Sequence, residues 1–260
     1  MKNEPYYIPD SLLTTRNVKT MKGEKLGWKT YILYMSPFNQ NSLGKNICPM
    51  ATKGCAEACL FSSGKGGIDT VRNGRTNKTE FFLHNRELFL NKIYSEIAQI
   101  ELKHKIEGGD FTIRLNGTSD ISWEKFKIKD GKTIFELFPN VQFYDYTKNY
   151  LRFKSSLPKN YYLMFSRSEE NDAIAMDLLK KNVNVAIVFD KVPSEFRGYK
   201  VIDGDENDLR HLDEKGVIVG LRYKKVVKKG FDNEAVFKSG FAIKTQTTAV
   251  ATKTKIKKAA

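Results

Sequence analysis

The chain has 260 residues, 40% apolar and 12% aromatic, with 44 Lys and Arg against 30 Asp and Glu and a net charge of +14. Its length suits one large or two small globular domains with a buried core. It shows no run of about 18 apolar residues and no apolar N-terminal segment, so neither a membrane span nor a secretory leader is expected and the cytoplasm is the expected setting. The charge invites a nucleic-acid reading, which is discounted because Lys244, Lys253, Lys255, Lys257 and Lys258 lie in a Thr/Ala/Lys tail that reads as disordered.

Residues 1–28 mix prolines, glycines and charges without a sustained period and read as an N-terminal arm. The first strand signal is the β-branched and aromatic run from Thr30 to Ser36, ended by Pro37. A long polar loop follows, with a short helical turn near Cys55 to Leu60, and runs on through glycine-rich sequence to Thr76. From Lys78 to Lys103 an apolar stripe of Phe82, Phe89, Ile93, Ile97 and Ile100 predicts a helix, stopped by Gly108-Gly109.

Further strands are expected at 111–115, 141–144, 161–165, 183–189 and 217–219, with a weaker candidate at 199–202. Helices are expected between them at 133–138, 170–181 and 205–215, the last framed by a capping Asp205 and a terminal Gly216. Strands alternating with helices predict an α/β fold. Some six parallel strands in this length favour a partial (β/α) barrel over residues 29–243, between the arm and the basic tail at 244–260.

All the cysteines of the chain, Cys48, Cys55 and Cys59, fall in the loop after the first strand with the spacing C-x6-C-x3-C. An odd number packed this closely argues against a disulfide framework. Free buried thiols, zinc and an iron–sulfur cluster are the alternatives. Structural zinc asks for four ligands, usually in close Cys pairs, whereas three thiolates suit a 4Fe-4S cluster with one open iron. His84, His104 and His211 are each candidates for a fourth ligand.

The other strand ends are polar as well. Asn116, Ser119 and Asp120 follow one strand, Tyr144 and Asp145 close the next, and Ser166 and Asp203 sit at two more. Each stretch alone suits a turn or cap. Together they predict a polar mouth facing the cysteine loop, since ligands of parallel α/β folds gather at the carboxyl ends of strands. Arg222, Tyr223 and the lysines between Lys224 and Lys229 form the one dense internal basic cluster, readable as solvated surface or as a phosphate-tracking patch.

The order of strand, cysteine loop, long helix and further βα units resembles the radical S-adenosylmethionine enzymes. More closely, Cys48-Pro49 with Cys55 and Cys59-Leu60, Arg114 to Ile121, Phe143 to Lys148 and Gly216 to Leu221 resemble a family of bacteriophage-encoded proteins, over residues 28–225. The resemblance implies a radical-SAM-like barrel in the infected host's cytoplasm. In it the three cysteines hold a 4Fe-4S cluster, and S-adenosylmethionine or another small molecule takes the open iron. The enzymes' usual C-x3-C-x2-C spacing is not kept, and Asn116 to Asp120 stands where their glycine-rich amino-group contact would lie. The resemblance does not supply a reaction. A non-catalytic redox or structural cluster protein, and a nucleic-acid-binding protein with a zinc site, are the alternatives.

Overall fold

The computed structural model describes residues 4–15, 17–59, 64–226 and 229–245. A ten-stranded sheet organises it. β1 (Leu13–Thr14) lies antiparallel to β2 (Trp28–Leu33), and β2 begins a parallel series with β3 (Asp110–Arg114), β4 (Gln142–Thr147), β5 (Tyr161–Ser166) and β6 (Val185–Phe189). The chain then forms β7 (Glu195–Phe196), β8 (Tyr199–Asp203) and β9 (Ile218–Arg222). In space β9 lies between β6 and β8, and β7 pairs antiparallel with β8. Last, β10 (Ala242–Ile243) pairs parallel with the carboxyl end of β6.

The α/β class and the parallel order of the first strands agree with the sequence reading, but a barrel is not what the pairing draws. The sheet is open and mixed, its path ending on two short antiparallel strands, β1 and β7. The last long parallel strand in sequence, β9, inserts beside β6 instead of closing onto β2, and the two-residue β10 also pairs with β6. The β7–β8 hairpin turns on Arg197 and Gly198, both at positive φ (52° and 80°), the conformation a tight two-residue hairpin requires.

Two helices stand where one is expected. α3 (Asp69–His84) and α4 (Arg86–Glu107) are separated at Asn85, whose side chain accepts from the Leu88 N–H at 3.3 Å and caps the second. The start of α3, residues 69–77, escapes a hydrophobic-period reading because it buries no apolar side chain, and polar contacts further along the helix hold it in place. Asn77 exchanges hydrogen bonds with the Tyr7 backbone, Thr79 accepts from the Ser36 N–H, and Glu80 accepts from the Ser42 N–H and hydroxyl. These contacts fix the helix where Gly74 and the preceding glycines suggest loop.

One sheet face buries Leu33, Ile113, Phe143 and Leu163 against Phe81, Phe82, Phe89, Ile93 and Ile97 of α3 and α4. The same face continues as Phe165, Val185 and Ile187 under Ala175, Leu178 and Leu179 of α6 (Asp172–Lys180). α5 (Ile134–Leu137) closes the end of this layer and begins with a Thr133/Glu136 capping box. Residues expected to form a free arm join the domain: Leu12 and Leu13 are buried, the Leu12 N–H donates to Glu96, and α1 (Val18–Glu24) precedes β2.

The opposite sheet face is where the second departure lies. Residues 205–215, expected to be a helix, contain only a 3-10 turn at Arg210–Leu212. Asp208 points into the sheet and accepts from Arg114 Nη1 (3.2 Å), Tyr144 OH (2.9 Å) and Tyr146 OH (3.3 Å). These bonds outweigh the local caps. The segment lies against β4 and β5, and its His211 ring packs on Trp28 of β2, 4.6 Å between centroids. Among the described residues no helix is long and apolar enough to cross a membrane.

Candidate functional site

The carboxyl ends of β2, β3, β4 and β5 meet around the cysteine loop, and its order comes from identifiable bonds. Gly117, after β3, donates its N–H to Leu33 O at 2.9 Å. A Cβ there would lie 2.5 Å from Tyr34 Cδ1 and 2.7 Å from Leu33 O, so only glycine allows this approach. The next residues stitch down the loop. Thr118 donates its hydroxyl to Met35 O, the Asp120 N–H donates to Ile47 O (3.0 Å), and Cys48 Sγ lies 3.7 Å from Thr118 O.

The second half of the loop forms α2 (Lys53–Glu57), capped by Thr52, whose hydroxyl accepts from the Cys55 N–H at 3.2 Å. Glu169, three residues past β5, holds this helix in place. Its carboxylate accepts from Gly54 N (2.7 Å) and Thr52 Oγ1 (2.9 Å). A Cβ on Gly54 would come within 2.7 Å of both Glu169 Oε1 and Phe241 Cβ, so the docking again needs glycine. Cys55 and Ala58 thereby pack on Val236, Phe241 and Ala242, where β10 and α7 (Asn233–Lys238) meet.

Cys48 is buried, Cys55 and Cys59 are half-buried, and none is in a disulfide. Burial pushes the Cys48 thiol up to about 12; a backbone hydrogen bond from Phe38 works against this, and the charges of Cys59, Asp120 and Cys55 add to it. The three thiols therefore share one electrostatic neighbourhood. They do not converge as a ligand set: Cys48 faces Thr118 and Cys55 faces the apolar cluster. Among the described residues no group of three His, Cys, Asp or Glu side chains is placed to hold a metal. The donor chemistry nonetheless fits a thiophilic metal or cluster.

The polar residues expected at the mouth divide into separate groups. Asn116, Ser119 and Asp145 form one buried network. Asn116 donates from N and Nδ2 to Asp145 (2.7 and 3.1 Å), and its Oδ1 accepts from Ser119 Oγ (2.9 Å), Ile121 N (2.9 Å) and Trp123 Nε1 (3.2 Å). Asp145 also accepts from Tyr161 OH at 2.8 Å. Burial raises its carboxyl to about 6, against the opposing pull of Arg114 and of the bonds from Asn116 and Tyr161. These side chains shape the turn that grips Cys48.

Asp120 accepts from Thr147 Oγ1 (2.7 Å), Lys148 N (2.8 Å) and Arg152 Nη1 (3.3 Å). Ser166 accepts from Lys148 Nζ at 2.7 Å, on the side toward α2. Tyr144 lies under the 205–215 segment, bonded to Asp208, and Asp203 forms a two-point pair with Arg222 at the far edge. Glu169 belongs to the site and was missed, although it directly follows the polar run after the fourth expected strand.

The histidines lie elsewhere. His84 is 3.3 Å from Glu80, and His104 bonds Tyr31 OH and Gly109 O. His211 sits beside Trp28, at the end of β2 away from the cysteines. Lys224 and Lys225 are exposed after β9, while Lys228 and the tail from residue 246 lie outside the described residues.

Burial lowers His211 from 6.5 to about 4, helped by Arg210, and raises Asp213 from 3.8 to about 6, with Arg210 opposing. Between those values the two act oppositely on stability. The contribution of Asp213 is complete below 3.8 and is lost as pH rises through 6. That of His211 is complete above 6.5 and is lost as pH falls through 4. His211→Gln is therefore expected to make the urea midpoint fall more steeply with rising pH across this window, and Asp213→Asn to make it rise. Parallel profiles for both variants and the parent would contradict these assignments.

A family model described as Gene product 88, of a phage-associated family, matches residues 11–244. The chain belongs to the Gene product 88 family. The match spans every strand from β1 to β10, so the cysteine loop, its Thr118 and Glu169 anchors and the 205–215 segment all lie inside the family's domain. No curated protein and no solved structure matches the chain.

Proposed function

We propose that this Gene product 88 protein binds an iron–sulfur cluster of the 4Fe-4S type through Cys48, Cys55 and Cys59, with the fourth iron left to a non-protein ligand. The observation that supports it most is that every thiol of the chain lies on one loop fastened at both ends to the carboxyl edge of a parallel sheet, through Thr118 and Glu169. That edge is where α/β folds place ligands. The cluster, when bound, supplies one-electron chemistry. The chain's own part is to hold the loop: the Asn116–Asp145 network fixes the Cys48 side and Glu169 fixes the Cys55 side.

Cys48→Ala, Cys55→Ala and Cys59→Ala, purified without oxygen, are each expected to lose most bound iron while keeping the parent far-ultraviolet circular dichroism. Full iron retention in all three would refute the proposal.

Within this reading S-adenosylmethionine is the favoured occupant of the open iron. Its support is the sequential parallel order of β2 to β6 with the cysteine loop directly after β2. Reductive incubation is then expected to release methionine and 5'-deoxyadenosine. An intact cluster that yields neither product assigns the protein a redox or structural role instead.

A further inference from the structure

Among the described residues, the buried and half-buried arginines come with carboxylate partners, with one exception. Arg114 lies 3.2 Å from Asp208, Arg152 lies 2.7 Å from Glu124, Arg167 lies 2.9 Å from Asp172, and Arg210 lies 3.3 Å from Asp213. The Arg210 pair is misaligned for a hydrogen bond, yet its charges are matched. Arg75 of α3 is the exception. Its Nε and Nη1 are buried and have no hydrogen-bond partner among the described residues, and no carboxylate forms an ion pair with it there.

Arg75 as a whole is half-buried. Its guanidinium lies over the Tyr34 ring, 4.7 Å from the centroid, and Tyr34 is the residue directly after β2. It is also close enough to Cys59 to feel that thiol's charge. A guanidinium keeps its charge at any working pH, so burial cannot be relieved by losing a proton as it can for lysine. Desolvated N–H donors on a permanent cation are among the least favourable groups to leave unmade. An aromatic face below compensates part of the charge but accepts no in-plane hydrogen bond.

We infer that Arg75 is the recognition residue of a small-molecule oxyanion site, with Tyr34 as its floor. The ligand class is a carboxylate or phosphate carried by a small molecule bound against Arg75 and Tyr34. This goes beyond the cluster reading and does not require it, because the unpaired donors belong to α3.

The test is a titration of the full-length chain with acetate and, separately, with inorganic phosphate, followed by nuclear magnetic resonance of the arginine Nε–Hε and Tyr34 ring signals. A saturable shift of the Arg75 and Tyr34 signals is expected with at least one anion, and the tighter of the two names the class. Arg75→Lys, which keeps the charge and stem, is expected to weaken that binding about tenfold, read on Tyr34, as loss of a planar charge-assisted donor set predicts. Arg75→Gln is expected to abolish it. Absence of a saturable shift with either anion, or undiminished binding by Arg75→Gln, would overturn the inference. Running the titration on Cys48→Ala as well separates the two readings, since an anion site that survives there stands whatever the cysteines hold.

Discussion

Arg152→Met is expected to lower the unfolding free energy by about 3–5 kcal/mol, because it removes the buried cation that joins Glu124 and Asp120 and leaves these carboxylates uncompensated. The Arg152 side chain is 2% exposed and makes two parallel bonds to Glu124, Nε to Oε1 at 2.8 Å and Nη2 to Oε2 at 2.7 Å. It also reaches Asp120 at 3.3 Å and Tyr161 OH at 2.8 Å. Tyr161 in turn donates to Asp145, so the arginine stands behind the turn that holds Cys48. Urea unfolding at neutral pH measures the loss. The double variant Arg152→Met with Glu124→Leu is expected to recover part of it, since removing both members of a buried pair is milder than removing one. A loss below about 1 kcal/mol for the single variant would place this pair with ordinary surface ion pairs.

Asp208→Ala is expected to cost a similar amount, about 3–5 kcal/mol, through the complementary fault of a buried guanidinium without its carboxylate. Burial works against the Arg114 charge; Asp208, with help from Tyr144, Tyr146 and Tyr34, reverses this and raises its pKa. The same substitution unpins the segment over the inner sheet face, because Asp208 takes hydrogen bonds from β3 and β4 together. Hydrogen exchange is therefore expected to rise across 205–215 and at the ends of β3 and β4, and to stay unchanged in α4. Uniform exchange throughout the chain would show that Asp208 stabilises without anchoring.

Much of the sheet could be read from the residues. Thr30 to Leu33, Phe111 to Arg114, Phe143 to Tyr144, Tyr161 to Phe165 and Val185 to Phe189 are β-branched or aromatic runs, and each is a parallel strand. The misses share a cause. The 205–215 segment has helix caps at both ends, but Asp208 gains more by turning into the sheet than by serving a first turn. The start of α3, residues 69–77, buries only the polar Asn77, which a search for apolar periods passes over. Strand order was also beyond reach, since nothing local to β9 says that it pairs with β6.

The cysteine loop was legible as a candidate because Cys48, Cys55 and Cys59 fall within twelve residues of one loop. Its supports were not, because they come from distant sequence. Glu169 meets Gly54 across 115 residues and Thr118 meets Cys48 across 70. The residues expected at a polar mouth lie in separate hydrogen-bonded groups. Asn116, Ser119 and Asp145 satisfy one another and brace the turn beside Cys48.

The central claim, that the three thiols hold a 4Fe-4S cluster, is tested most directly by counting iron, acid-labile sulfide and zinc in the full-length chain purified without oxygen, with an electron paramagnetic resonance spectrum of the reduced sample. The expected result is about four iron and four sulfide per chain and a reduced-cluster signal, as a four-iron cluster on cysteine thiolates requires. Stoichiometric zinc, or a folded chain that takes up neither iron nor sulfide on reconstitution, would contradict it.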